Sequence, residues 1–156
     1  ISWSPDGKYI AYTSKRLRGI EDARSTNSDI YLHEIASGRE INITDGNNGY
    51  DRYPVFSPDG SKIALQSMER NGYEADLDRL YIYNIKDKTL IWLSKGWQFD
   101  VENLKFRDSF YFFLFRTIRI HCHQIASLNK RNLFAIIKPL RGTASFSSKL
   151  NRFSSA

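Results

Sequence analysis

A duplication constrains this chain more than any other feature. Trp3-Ser4-Pro5-Asp6-Gly7-Lys8-Tyr9-Ile10-Ala11-Tyr12 recurs 53 residues on as Phe56-Ser57-Pro58-Asp59-Gly60-Ser61-Lys62-Ile63-Ala64-Leu65. A fixed internal period sets the architecture, so it is read before any single residue. Each copy continues alike: a polar insert, then an apolar run (Asp29-Ile30-Tyr31-Leu32-His33-Glu34-Ile35 against Arg79-Leu80-Tyr81-Ile82-Tyr83-Asn84-Ile85), a short turn, and a last strand at 40–44 or 89–94. That order gives four strands per repeat.

The Ser-Pro-Asp-Gly step suits a tight reversal. Pro5 and Pro58 preset φ, Asp6 and Asp59 can bond the backbone ahead of them, and Gly7 and Gly60 accept positive φ. These six are the expected structural turn residues. Tyr9, Ala11 and Thr13 alternate with Ile10 and Tyr12, so apolar side chains occupy both faces, as in a strand lying between two neighbouring sheets. Four strands every 50 residues or so point to β-propeller blades. A β-sandwich also yields short strands at even spacing, but the fixed period favours the propeller. The expected fold is all-β: two four-stranded antiparallel blades, repeats 1–53 and 54–100, with a third starting at 101–106.

Beyond Phe106 the pattern degrades. Arg107-Asp108-Ser109-Phe110 stands where Ser-Pro-Asp-Gly is due, although His123-Gln124-Ile125-Ala126-Ser127 echoes His33-Glu34-Ile35-Ala36-Ser37. The net charge of +6 belongs to this part. Residues 1–106 hold 14 Lys and Arg against 16 Asp and Glu, whereas residues 107–156 hold nine basic residues and one acid, Asp108. A nucleic-acid arm, a divergent blade and a shifted reading frame near 107–110 compete to explain residues 107–156. The aromatics cluster early and the basic residues scatter late, which disfavours the arm. Abrupt loss of acids, Gly and the repeat favours the shifted frame, against which the His123–Ser127 echo counts. The third blade is therefore expected to be degraded or out of frame, and no nucleic acid is expected as a partner.

The chain begins at Ile1, without an initiator Met, and reads as an internal fragment. No apolar run reaches the roughly 20 residues that span a bilayer. Cys122 is the single cysteine, so no internal disulfide is available and cysteine usage does not fix the compartment. His121 and His123 share a face of a strand, but zinc takes four ligands and no others are evident; no metal and no cofactor are expected. Gly142-Thr143-Ala144-Ser145-Phe146 has the wrong spacing for a nucleophile elbow. No residue is expected to be catalytic.

Three segments follow one another in a telling order: Ser25-Thr26-Asn27-Ser28-Asp29-Ile30-Tyr31-Leu32, then Gly49-Tyr50-Asp51 leading into Pro54-Val55-Phe56-Ser57-Pro58-Asp59-Gly60, then Ser67-Met68-Glu69-Arg70-Asn71-Gly72-Tyr73-Glu74-Ala75-Asp76. Over residues 1–106 they resemble the TolB and prolyl oligopeptidase propellers. Within those groups they are most similar to the dipeptidyl-peptidase 5 and acylaminoacyl-peptidase-like branch of serine peptidases. That resemblance implies a non-catalytic propeller that gates and positions short peptides for hydrolysis by an α/β-hydrolase domain elsewhere in a parent chain, in the periplasm. The alternative is a TolB-like propeller acting as a protein-binding module of the bacterial envelope.

In a four-stranded blade the loop between strands two and three lies on the same face as the links between blades. Residues 15–28 and 69–78 should therefore join the links 45–51 and 95–100, collecting Arg16, Arg18, Arg24, Arg52, Glu69, Arg70, Tyr73, Glu74, Asp76, Trp97 and Phe99. Glu69, Arg70, Tyr73 and Glu74 are the candidate substrate-binding residues. A Glu can pair with a peptide ammonium, and an Arg with a carboxylate or carbonyl. The alternative is that these charges pair with one another or with the hydrolase domain.

Overall fold

A hydrogen-bond set inside each Ser-Pro-Asp-Gly turn builds the first strand pair of each repeat, and it is the same set twice. Ser4 Oγ donates to Asp6 Oδ1 at 2.7 Å and accepts the Tyr9 amide at 2.8 Å, while Asp6 Oδ1 accepts the Lys8 amide at 3.1 Å. In the second copy Ser57 Oγ donates to Asp59 at 2.6 Å and accepts the Lys62 amide at 2.9 Å, and Asp59 accepts the Ser61 amide at 3.0 Å. Gly7 and Gly60 close the turns at φ of 70° and 68°, where a Cβ would be strained.

The computed structural model describes residues 1–98 and 100–106 in full, and the backbone of 107, 110–117, 120–129 and 132–134. The first sheet holds β1 (Ser2–Trp3), β2 (Tyr9–Ser14), β3 (Asp29–Glu34) and β4 (Glu40–Asn42), with α1 (Ile20–Arg24) in its insert. The second holds β5 (Asp51–Phe56), β6 (Lys62–Ser67), β7 (Arg79–Asn84) and β8 (Thr89–Trp92). The third holds β9 (Asp100–Arg107), β10 (Phe110–Thr117), β11 (Ile120–Asn129) and β12 (Asn132–Phe134). Every sheet runs in sequence order, each strand antiparallel to the next.

The all-β expectation of two four-stranded antiparallel sheets holds, and a third sheet follows them. Part of the atypical stretch 107–156 supplies β10 to β12. The His121-Cys122-His123 side chains, Asp108, Ser109 and residues 135–156, with the 142–146 segment, lie outside the described residues.

Alternation along the middle strands explains the stacking. Phe56, Ile63, Leu65 and Tyr83 join Ala11, Ile30, Leu32 and Ile43 in one buried cluster between the first two sheets. From the opposite face of the second sheet, Ala64, Leu80 and Ile82 join Val101 and Leu104 of the third. A two-residue period puts successive side chains on opposite faces, so the middle sheet is apolar on both. A two-layer sandwich leaves each sheet one wet face, and this one has none. On the first sheet, the face turned away from the second carries Tyr12 stacked on Tyr31 at 5.9 Å and Arg16 lying 3.6 Å over the Tyr31 ring.

The repeat also reaches features that no turn motif announces. The Thr44 hydroxyl accepts the Ile30 amide at 3.0 Å, and 50 residues on the Ser94 hydroxyl accepts the Leu80 amide at 2.9 Å. Tyr53 and Asn103, also 50 apart, both have φ of 53°. Each lies within a register shift of its strand against the next, between Arg52 and Val55 in β5 and opposite Phe112–Leu114 in β9. Such bulges insert one residue and bend the strand.

Candidate functional site

The offset between copies is 53 residues at Pro5 and Pro58 but 50 at Asp29 and Arg79. The three-residue difference falls between β2 and β3, in the first insert. That insert (residues 15–28) and its counterpart between β6 and β7 (residues 68–78) meet directly. Asn71 Oδ1 accepts the Ser25 hydroxyl at 2.8 Å and the Thr26 amide at 3.0 Å, and the Gly72 amide donates to Thr26 Oγ1 at 2.9 Å.

Below this junction runs a backbone strap. Ser28 pairs with Tyr50 in an isolated parallel bridge. The Ser28 amide donates to the Gly49 carbonyl at 3.3 Å, the Asp51 amide to the Ser28 carbonyl at 3.0 Å, and the Met68 amide to the Tyr50 carbonyl at 3.1 Å. Gly49 is needed for room: a Cβ there would lie 1.9 Å from the Met68 carbonyl oxygen. Asn47 Nδ2 ties the strap to its surroundings through Asp51 Oδ1 (2.7 Å), Ser67 Oγ (3.0 Å) and the Met68 carbonyl (3.1 Å). Asp51 is fully buried. Burial pushes its carboxyl up to about 6, against the opposing hydrogen bonds from Ser67, Thr44 and Asn47.

A cleft of about 920 Å³ opens at this junction. The first insert lines it with Lys15, Asp22, Arg24 and their neighbours, the second with Gly72 and Glu74, and the strap with Tyr50, Arg52 and Met68. Most of its charge is already matched. Lys15 pairs with Asp22 at 3.1 Å, and Arg52 with Asp78 at 2.6 Å. Arg52 also lies 5.0 Å from the Tyr50 ring centre and 5.4 Å from that of Tyr53. Burial pushes the Asp78 carboxyl up, against the pull of Arg52.

The four candidate binding residues divide. Glu69 pairs with Arg79 at 3.1 Å, and Arg70 with Asp76 at 3.2 Å while lying 4.1 Å over the Tyr73 ring. Tyr73 is exposed. Glu74 lines the cleft and forms no ion pair or hydrogen bond with a described residue. Pairing of charges with one another thus describes Glu69 and Arg70, and leaves Glu74 open.

Asp76, named above only as a member of the face, organises the second insert. Its carboxylate accepts the amides of Glu69, Arg70 and Leu77 at 3.0, 3.0 and 2.8 Å, and both Arg70 and Arg79 reach it. Burial acts to raise its pKa, but the Arg70 and Arg79 hydrogen bonds and those amides outweigh it and hold the carboxyl well below the usual range. Sequence reading missed Arg79, which opens an apolar run, and the Asn47–Asp51 pair. The one signal was that a polar pair sits in a link short enough to be buried.

Two members of the expected face lie elsewhere. Arg16 pairs with Glu40 at 2.5 Å on the outer side of the first sheet, and Trp97 packs against the cluster between the second and third sheets. Phe99 lies outside the described residues. Among the described residues no group of three or more His, Cys, Asp or Glu side chains is placed to hold a metal ion, and no helix is long and apolar enough to cross a membrane.

No family model matches the chain. Over 85 residues it is 55% identical to dipeptidyl-peptidase 5 of Porphyromonas gingivalis, covering 54% of this chain and 12% of that protein. Over 115 residues it is 34% identical to dipeptidyl-peptidase 5 of Aspergillus oryzae, covering 67% of this chain and 16% of that protein. The chain thus spans less than a fifth of the length of these relatives. Among solved structures, a protein described as a TolB from Agrobacterium tumefaciens aligns with a TM-score of 0.59 at 19% identity, covering 83% of this chain and 44% of that one. A prolyl endopeptidase aligns with a TM-score of 0.64 at 12% identity, covering 88% of this chain and 21% of that one. Likeness at such low identity concerns the fold, and the fold is an all-β array of propeller-type sheets. The chain is thus similar in sequence to dipeptidyl-peptidases 5 over part of their length, and similar in fold to a TolB and to a prolyl endopeptidase.

Proposed function

We propose that these sheets form a non-catalytic binding module, TolB-like in kind, that holds peptide or protein segments on the face where the two inserts meet. The observation that carries this reading is the polar cleft of about 920 Å³ at the insert junction, floored by the hydrogen-bonded strap. Loops on a rigid scaffold are where recognition sits. Glu74, left open in that cleft, supplies the carboxylate for a ligand ammonium, with Tyr73 exposed beside it. Glu69 and Arg70 act through their pairs, by holding the insert in shape. The compartment this reading implies is the bacterial periplasm.

Calorimetric titration of the full chain with short free-amine peptides tests it. Binding should weaken in Glu74→Ala by about threefold, the size of an exposed charge pair, and should weaken equally when the wild type is offered the N-acetylated peptides. A chain that binds no peptide even at millimolar concentration overturns the reading.

A second reading is favoured by the 55% identity with a dipeptidyl-peptidase 5. Here the same face gates and positions short peptides for a serine exopeptidase whose α/β-hydrolase domain belongs to a longer parent chain. The coding sequence decides between the two. A downstream G-x-S-x-G followed by Asp and His makes the parent a peptidase, and its absence leaves the binding module.

A further inference from the structure

Two charges of the insert cleft, those of Arg24 and Glu74, are left without a partner among the described residues. Lys15 is held by Asp22 at 3.1 Å and Arg52 by Asp78 at 2.6 Å, so both cations enter the cleft already matched. Outside it, Arg16, Arg70 and Arg79 have carboxylate partners of their own. Arg24 is different: it lines the cleft, is exposed, and forms no hydrogen bond or ion pair with a described residue. It is the last residue of α1, and the Ser25 amide bonded to the Glu21 carbonyl at 3.1 Å fixes that end of the helix. Next to it, Ser25 and Thr26 are anchored to Asn71 across the junction. A free guanidinium is thus presented from a pinned backbone at the wall of a polar cleft.

We infer that Arg24 makes this cleft selective for a carboxylate, so that its ligand is a peptide bearing either a free C-terminus or an acidic side chain. This rests on the cleft being a peptide site. A guanidinium meets a carboxylate with two parallel N–H donors, and Arg24 has all of its donors available. Tyr50, exposed in the cleft with Arg52 over its ring, offers an apolar surface for the segment that carries the acid.

The test uses the full chain at low ionic strength and two pairs of free-amine tripeptides: trialanine against its C-terminal amide, and Ala-Asp-Ala amide against Ala-Asn-Ala amide. The acid of at least one pair should bind about three- to tenfold more tightly than its neutral partner, in the range of a partly exposed charge-assisted pair. The pair that shows the preference identifies the source of the carboxylate. In Arg24→Gln that preference should vanish while the neutral peptides bind as before. Arg39→Gln, an equal change of charge in the β3–β4 turn, should leave it intact. Added salt should shrink it, since the site is open to solvent. Equal affinities within both pairs, or a preference that survives Arg24→Gln, overturns the inference while the peptide site stands. Absence of binding by all four peptides overturns the peptide site and this inference together.

Discussion

Asp51 and Asp59 are carboxylates of one strand pair driven in opposite directions. Asp59, near the surface, is lowered to about 2, first by the Ser57 hydroxyl and then by the Ser61 amide. Its contribution to stability is present above its ordinary value of 3.8 and is lost as pH falls through about 2. Asp51 behaves inversely. Burial raises it from 3.8 to about 6, with the Asp29 carboxylate adding to the rise, so the native state holds a proton that the unfolded chain releases. The stability this proton contributes is complete below 3.8 and is lost as pH climbs through about 6. Asp51→Asn removes the titration and keeps the shape. Urea midpoints at about pH 4 and about pH 7 should therefore fall less in the variant, with a gap of at most roughly 3 kcal/mol; equal slopes would deny Asp51 the role. The turn carboxylates could be foreseen because every partner lies within a few residues. Asp51 could not, because Asn47, Thr44, Ser67 and Ser28 reach it from separate strands and links.

The inserts are ordered by contacts that cross from one sheet to the next. Each depends on close backbone approach as much as on side-chain chemistry. Gly49→Ala tests that dependence, since a methyl group placed 1.9 Å from the Met68 carbonyl cannot be met by rotating a side chain. The strap has to separate. The expected result is a loss of about 1–3 kcal/mol by chemical unfolding, with faster hydrogen exchange at the Asp51 and Met68 amides. Unchanged exchange at both would show that the strap tolerates the methyl. Strand positions were legible in the sequence because alternation and turn chemistry are local. The shifts at Tyr53 and Asn103 were not, because alternation tells which face a side chain takes and carries no information on where a register slips. The insert charges were legible as a set, and their partners only in part: Arg16 turned to the outer face, and Asp76 turned inward.

On the scale of the whole molecule, two clusters join three sheets, and the second sheet contributes to both. Val101 and Leu104, which complete one of them, come from β9 alone. Removing residues 107–156 takes away the strands hydrogen-bonded beyond β9, leaving it as a bare edge with unpaired backbone groups. A 1–106 truncation should therefore be marginal and prone to associate. A monomer of it with one sharp cooperative thermal transition would contradict that, and light scattering alongside the melt distinguishes the outcomes. Repeat arrays of this kind draw stability from neighbour contacts, and the first sheet already displays the consequence. Trp3 is 59% exposed, whereas Phe56 at the same place in the next repeat is 6% exposed.

The three extra residues of the first insert leave no trace beyond it. By Asp29 and Arg79 the two repeats are back in step, and Thr44 and Ser94 find the same amides as though both inserts were of equal length. Growth at this place is invisible to the framework, which makes it an interchangeable fitting on a standard mount. Residues 15–24 can therefore vary in length without renegotiating how the sheets stack, as long as Ser28 and Met68 keep their places in the strap. The loop can change while the mount stays as it is.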